Sequence, residues 1–163
     1  MELETFWENL KSGRFASMVK EASKGQSVSN SQQVYNIMKP LFSEHDDVEA
    51  MYCIFLDTKN KILGIEKMFS GSIAASAVYP REIVKRLIAI KASAFVMVHN
   101  HPSGDLDPSA EDKEITIKVG IAASSIDVAL HDHIIVGEGF HSMADTGWIK
   151  KVSNTYLNLL KAN

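Results

Sequence analysis

Two histidines stand two residues apart, at His99 and His101, and an aspartate follows at Asp112. In extended backbone, residues i and i+2 project from the same face. Both imidazoles then point at one place, where they can share a metal ion. Pro102 and Gly104 end the extended run and turn the chain. Pro108 and Ser109 open the next helix, with Asp112 in its first turn, so the carboxylate can come back to face the histidines. Two histidines and one carboxylate make the ligand set of a catalytic zinc, with a fourth position left for water. Each residue also has a plainer reading. A pair of histidines at a strand end is often structural. Ser109 with an acid three residues on makes a variant capping box, and Asp112 suits the positive end of a helix dipole. Taken together, the two histidines, the loop and the acid point to metal binding.

Hydrolysis at such a centre needs a general base from outside the ligand set, one that takes a proton from water the zinc has activated. Glu66 interrupts the apolar run Ile62-Leu63-Gly64-Ile65-Glu66 and is a candidate, although on an exposed edge it would mean nothing. A second H-x-H, His131-Asp132-His133, lies inside an apolar strand without a Pro/Gly loop. Period-2 alternation places His131 and His133 on one face with Ile135, and Asp132 on the other with Leu130 and Ile134. A direct ligand pair is one reading. A supporting role for one member is the other, because a metal-bound histidine donates its second nitrogen to a partner.

These residues need elements to position them. Ala50 to Leu56 reads as a buried strand, Asp57 to Lys61 as a turn, and Ile62 to Phe69 as the second arm of a hairpin. Ile73 to Val78 reads as a short strand. Pro80 opens a helix whose apolar face is Ile83, Val84, Leu87, Ile88 and Ile90. Ala94 to Val98 is a fully apolar strand ending at the first histidine. Helix 109–123 follows the loop, then strand 128–136, a turn at 137–139, a partner strand 140–143 and a helical tail. Ahead of all this, Leu3, Phe6, Trp7, Leu10, Phe15, Met18 and Val19 recur at helical spacing over residues 3–23, with Gly13 in the middle. A polar link at 24–31 leads to a second helix over 32–42. Strands with interspersed helices predict an α/β fold, a mixed sheet packed by helices. Residues 1–45 are expected to form an N-terminal helical extension, and 46–163 the domain that carries the site.

Composition sets outer limits. The 163 residues suit one domain, and 45% apolar content allows a sizeable core. Cys53 is the single cysteine, so neither an internal disulfide nor a multi-cysteine zinc site is available. The acidic start and the lack of a long apolar run predict no secretory signal, no membrane span and a cytoplasmic location. The net charge of −3, with Arg81, Lys85, Arg86 and Lys91 as the densest basic group, argues against nucleic acid as a partner. The apolar N-terminal helix offers an arm for a homodimer.

The stretch 99–112 resembles the JAMM (MPN+) metalloprotease motif: an upstream Glu, then His-x-His-Pro, then Ser and Asp at fixed intervals, all of which this sequence matches. His99-Asn100-His101-Pro102-Ser103-Gly104 with Pro108-Ser109 is similar to the RadC branch of that superfamily. Pro80-Arg81-Glu82 and Asp132-His133-Ile134-Ile135-Val136-Gly137 also look like RadC segments. The resemblance covers residues 30–145 and implies the JAB1/MPN fold, similar to cytidine deaminases. It implies zinc on His99, His101 and Asp112, Glu66 as the general base, and Ser109 as the residue that stabilises the tetrahedral intermediate. Glu82 competes with Glu66 but falls in a predicted helix. The implied activity is a zinc-dependent peptidase or isopeptidase acting on a peptide or protein. The alternative is a DNA-repair-associated or partner-binding module with little hydrolysis of its own. No helix-hairpin-helix module is evident in residues 1–45. A deaminase is excluded because the H-x-E and P-C-x-x-C signature is absent.

Overall fold

The computed structural model describes residues 3–43, 47–71 and 79–162. Helices α1 (Leu3–Lys11), α2 (Arg14–Ser23) and α3 (Ser31–Phe42) precede the hairpin β1 (Ala50–Leu56) and β2 (Ile62–Ser70). Then come α4 (Pro80–Ala89), β3 (Ala94–Asn100), α5 (Ala110–Ser124), β4 (Ala129–Gly137), β5 (Gly139–Ser142) and α6 (Trp148–Lys161). The strand expected over 73–78 lies outside the described residues.

The sheet order is β2-β1-β3-β4-β5. The pairs β1/β2, β1/β3 and β4/β5 are antiparallel, while β3 and β4 run parallel. A parallel neighbour cannot be reached by a tight turn, so α5 makes the crossover. This is the mixed α/β sheet flanked by helices that the sequence predicts.

Each strand of the centre is buried on both faces, which is why it reads as an unbroken apolar run. Tyr52, Ile54, Leu56, Val96, Val98, Ile134 and Val136 form one core with Val34, Met38, Leu41 and Phe42 of α3. Met51, Cys53, Phe55, Phe95 and Met97 form the other with Ile83 and Leu87 of α4, Val119 and Ala123 of α5, and Ile149 of α6. Helix α3 therefore fills the sheet's own core, although it belongs to the segment expected as an extension.

The single helix expected over 3–23 is two. Gly13 adopts φ 71, the left-handed region, and the chain breaks there before α2 begins. Helix α1 has no buried residue, and Leu3 and Trp7 are exposed. The polar link runs against the sheet edge, with Gly25 N–H donating to Ile62 and Ile62 N–H to Gln26. It ends where Asn30 caps α3 by accepting from Gln33 N–H at 2.8 Å. No helix among the described residues is long and apolar enough to cross a membrane.

Candidate metal centre

β3 carries His99 near its end, and its backbone continues into His101, whose N–H donates to Val136 on β4. His99 is fully buried and His101 half-buried. The loop beyond is fastened by two features. His101 Nδ1 lies 2.8 Å from the Asp105 carbonyl, and Gly104 N–H donates back to His101. Gly137 packs so closely on this loop that a Cβ there would meet the Gly104 carbonyl oxygen at 2.7 Å. Helix α5 then starts with a full capping box. Asp112 N–H donates to Ser109 Oγ at 3.0 Å, and Ser109 N–H donates to Asp112 Oδ2 at 2.7 Å. The box holds the Asp112 side chain at the head of the helix, turned toward the histidines.

The three side chains meet. His99 Nε2 is 2.9 Å from His101 Nε2 and 3.0 Å from Asp112 Oδ1, and His101 Nε2 is 3.3 Å from Asp112 Oδ2. Burial alone would raise the Asp112 carboxyl. The imidazoles of His101 and His99 overcome that and hold it well below the usual carboxylate range. His101 is raised above the ordinary histidine value, first by its contact with Asp112 and against the effect of burial. A proton and a metal ion are alternatives for the same electron pair on His101.

The donor set fits a metal ion. One ligand atom from each of His99, His101 and Asp112 lies within 4.8 Å of the others. Asp112 Oδ1 is buried without a hydrogen-bond partner among the described residues. An unsatisfied buried polar atom costs about 1–3 kcal/mol, more when charged. A cation between the three groups satisfies it. Imidazole and carboxylate together suit zinc and other divalent first-row metals.

Glu66 is elsewhere. It pairs with Cys53 on β1, which pairs in turn with Met97 on β3, so two strand spacings, about 10 Å, separate it from the strand of the histidines. Its carboxylate is gripped by Arg86 of α4 in a two-pronged pair, 2.7 Å from Nε and 2.6 Å from Nη2. The expectation of Glu66 as the base therefore gives way to a role in fixing α4 on the sheet edge. Glu82 lies in the first turn of α4 beside Arg81, 3.5 Å away.

Sequence reasoning missed Glu49. It immediately precedes β1, and the register sets the next but one residue, Met51, opposite His99. Glu49 thus sits level with His101, and its charge adds to the upward shift there. Asn100 brackets this residue: its Oδ1 accepts from Ala50 N–H at 2.7 Å, and its Nδ2 donates to the Val48 carbonyl at 3.0 Å. The signal was an acid at the mouth of an apolar strand, legible only once that strand's partner is known.

The second H-x-H is split. Phe95 pairs with Leu130 and Val96 with Asp132, so His131 is the extra residue of a bulge. The bulge breaks the alternation. Leu130 shares its core with His133's face, while Asp132 faces the other side with Ile134 and Val136. His131 Nε2 instead meets Asn60 Oδ1 at 2.9 Å. His133 is fully buried, which holds it neutral, well below the ordinary histidine value. Its Nε2 lies 2.8 Å from His99 Nδ1, so the supporting role falls to His133 alone.

The family model for the RadC-like JAB domain matches residues 28–148. The chain belongs to that family. A UPF0758 protein of Pseudomonas fluorescens strain SBW25 is 46% identical over 106 residues, covering 64% of this chain and 47% of that protein. A second, from Pseudomonas fluorescens strain Pf0-1, is 42% identical over 130 residues, covering 79% and 58%. A UPF0758 protein of Aliivibrio salmonicida is 45% identical over 102 residues, covering 62% and 46%. The chain spans about half the length of these relatives. As a RadC-like JAB domain it is a member of the JAMM/MPN superfamily, with a His-His-Asp group able to bind a metal ion.

Proposed function

We propose that this RadC-like JAB domain is a zinc metallopeptidase or isopeptidase, with His99, His101 and Asp112 holding the zinc. The observation that carries the reading is the buried Asp112 Oδ1, without a hydrogen-bond partner among the described residues, in a carboxylate on which the Nε2 atoms of His99 and His101 converge. Bound zinc supplies Lewis acidity and brings the pKa of water at the site to about 7. Glu49, beside His101, accepts the proton of the attacking water and passes it to the leaving amine. Asn100 keeps Glu49 in place through the peptide groups on either side of it. The cap at Ser109 uses the hydroxyl oxygen as an acceptor, which leaves its proton to steady the oxyanion of the tetrahedral species. A peptide or protein is the substrate class, because the chemistry is amide hydrolysis.

Metal analysis of the purified protein, followed by a peptidase and isopeptidase screen, tests this. One zinc per chain is expected, lost on replacing His99, His101 or Asp112 by Ala. Glu49→Gln should keep the zinc and lose activity by about 10²-fold or more. Glu66→Gln should keep both. The reverse pattern would return the base to Glu66, and full zinc retention in all three Ala variants would remove the site.

A further inference from the structure

His133 is wholly buried, engages both ring nitrogens, and has no part in the chemistry above. Its partners dictate where its proton sits. Thr116 Oγ1 is 2.5 Å from the Asp112 carbonyl oxygen and 2.6 Å from His133 Nδ1. Two oxygens at the first distance hold a proton between them, and a carbonyl has none to give. Thr116 therefore donates to Asp112, and only its lone pairs remain for His133. Nδ1 of His133 must then carry the hydrogen, and its neutral ring presents a lone pair at Nε2. That lone pair faces His99 Nδ1 at 2.8 Å, so His99 donates from Nδ1. The remaining lone pair of His99 is on Nε2, which points at Asp112 Oδ1 and His101 Nε2. His101 arrives at the same form by a shorter route, its Nδ1 donating to the Asp105 carbonyl.

We infer that Thr116 and His133 form a tautomer relay that keeps the proton of His99 on Nδ1 and its Nε2 bare for the metal. Which nitrogen of an imidazole is free is set by the hydrogen bond the other one makes. A proton on Nε2 of His99 would occupy the ligand position itself. The relay starts at the peptide carbonyl of one ligand, Asp112, and ends on the ring of another, so α5 and β3 are set together. Thr116 and His133 are positioning residues; neither reaches the metal. The inference rests on the metal reading proposed above.

The test is zinc affinity of the full chain, by competition with a chromophoric chelator, alongside melting curves. Thr116→Ser keeps the hydroxyl, and His133→Gln keeps an acceptor for His99; both should bind zinc within about threefold of wild type. Thr116→Val and His133→Leu should bind about 10–100-fold more weakly, as loss of such support does elsewhere. Equal affinity in all four would overturn the relay. A second readout needs no metal: long-range proton–nitrogen spectra of the metal-free protein should show His99 protonated on Nδ1. A hydrogen on Nε2 of His99 would overturn the relay even if His133→Leu failed to fold. Should the wild type take up no zinc, the metal reading fails, and the spectra still decide the tautomer.

Discussion

Ser109 shows how one side chain can hold two jobs that mutation can separate. It caps α5 in a reciprocal box with Asp112, and it is proposed to stabilise a developing oxyanion. Asp is as good a cap as Ser, but it would place a negative charge where one forms. Ser109→Asp should therefore keep the melting point and the zinc while losing hydrolysis by about 10²–10³-fold. Ser109→Ala should cost about 1 kcal/mol of stability and some activity together. A melting curve beside a peptidase assay reads both, and full activity in Ser109→Asp would leave Ser109 a cap alone. The candidate metal ligands were legible from spacing, since His99, His101 and Asp112 lie on one continuous stretch. Glu49 was not. It comes to the site through antiparallel pairing of β1 with β3, and no local pattern encodes which strand lies beside which. Glu66 misled because an acid in an apolar run looks functional until Arg86 is seen across it.

Helix α5 shows the same division at the scale of an element. Its buried residues Asp112, Thr116, Val119, Gly120 and Ala123 form a stripe at helical spacing, polar at the head and apolar toward the tail. The head faces the candidate metal centre, and the tail is where α6 crosses. Gly120 allows that approach: a Cβ there would meet Val152 Cγ1 at 2.6 Å and Leu130 Cδ2 at 3.4 Å. Gly120→Ala gains up to about 1 kcal/mol in helix propensity. It loses about 1–3 kcal/mol to overpacking, because a valine in a helix has one favoured rotamer and cannot turn away. A net fall in melting temperature is expected, reversed in the double variant with Val152→Ala; a stabilised single variant would show the contact to be slack. The central strands were legible as unbroken apolar runs, buried on both faces, and helices such as α3 and α4 by apolar residues at helical spacing. The bulge at His131 was not, since one inserted residue leaves the local composition unchanged while turning the side chains before it to the opposite face.

For the molecule as a whole, charge decides which partners to expect. A chain of net charge −3 releases few counterions from a duplex, so binding to double-stranded DNA at physiological salt should be weak or absent. Submicromolar affinity with a steep salt dependence in a fluorescence titration would favour the partner-binding alternative instead. The exposed Leu3 and Trp7 of α1 and Leu159 and Leu160 of α6 remain outside both cores. The path of the chain has one more consequence. All three candidate metal donors come from one uninterrupted passage, the end of β3, its loop and the first turn of α5. The cost of closing a loop grows only with the logarithm of its length, so a denatured chain can still gather His99, His101 and Asp112 around an ion. An ion that clings to the denatured ensemble raises the melting point less than its affinity for the native protein alone would require. The same local loop can recapture an ion early in refolding, before the β1–β3 pairing brings Glu49 level with His101.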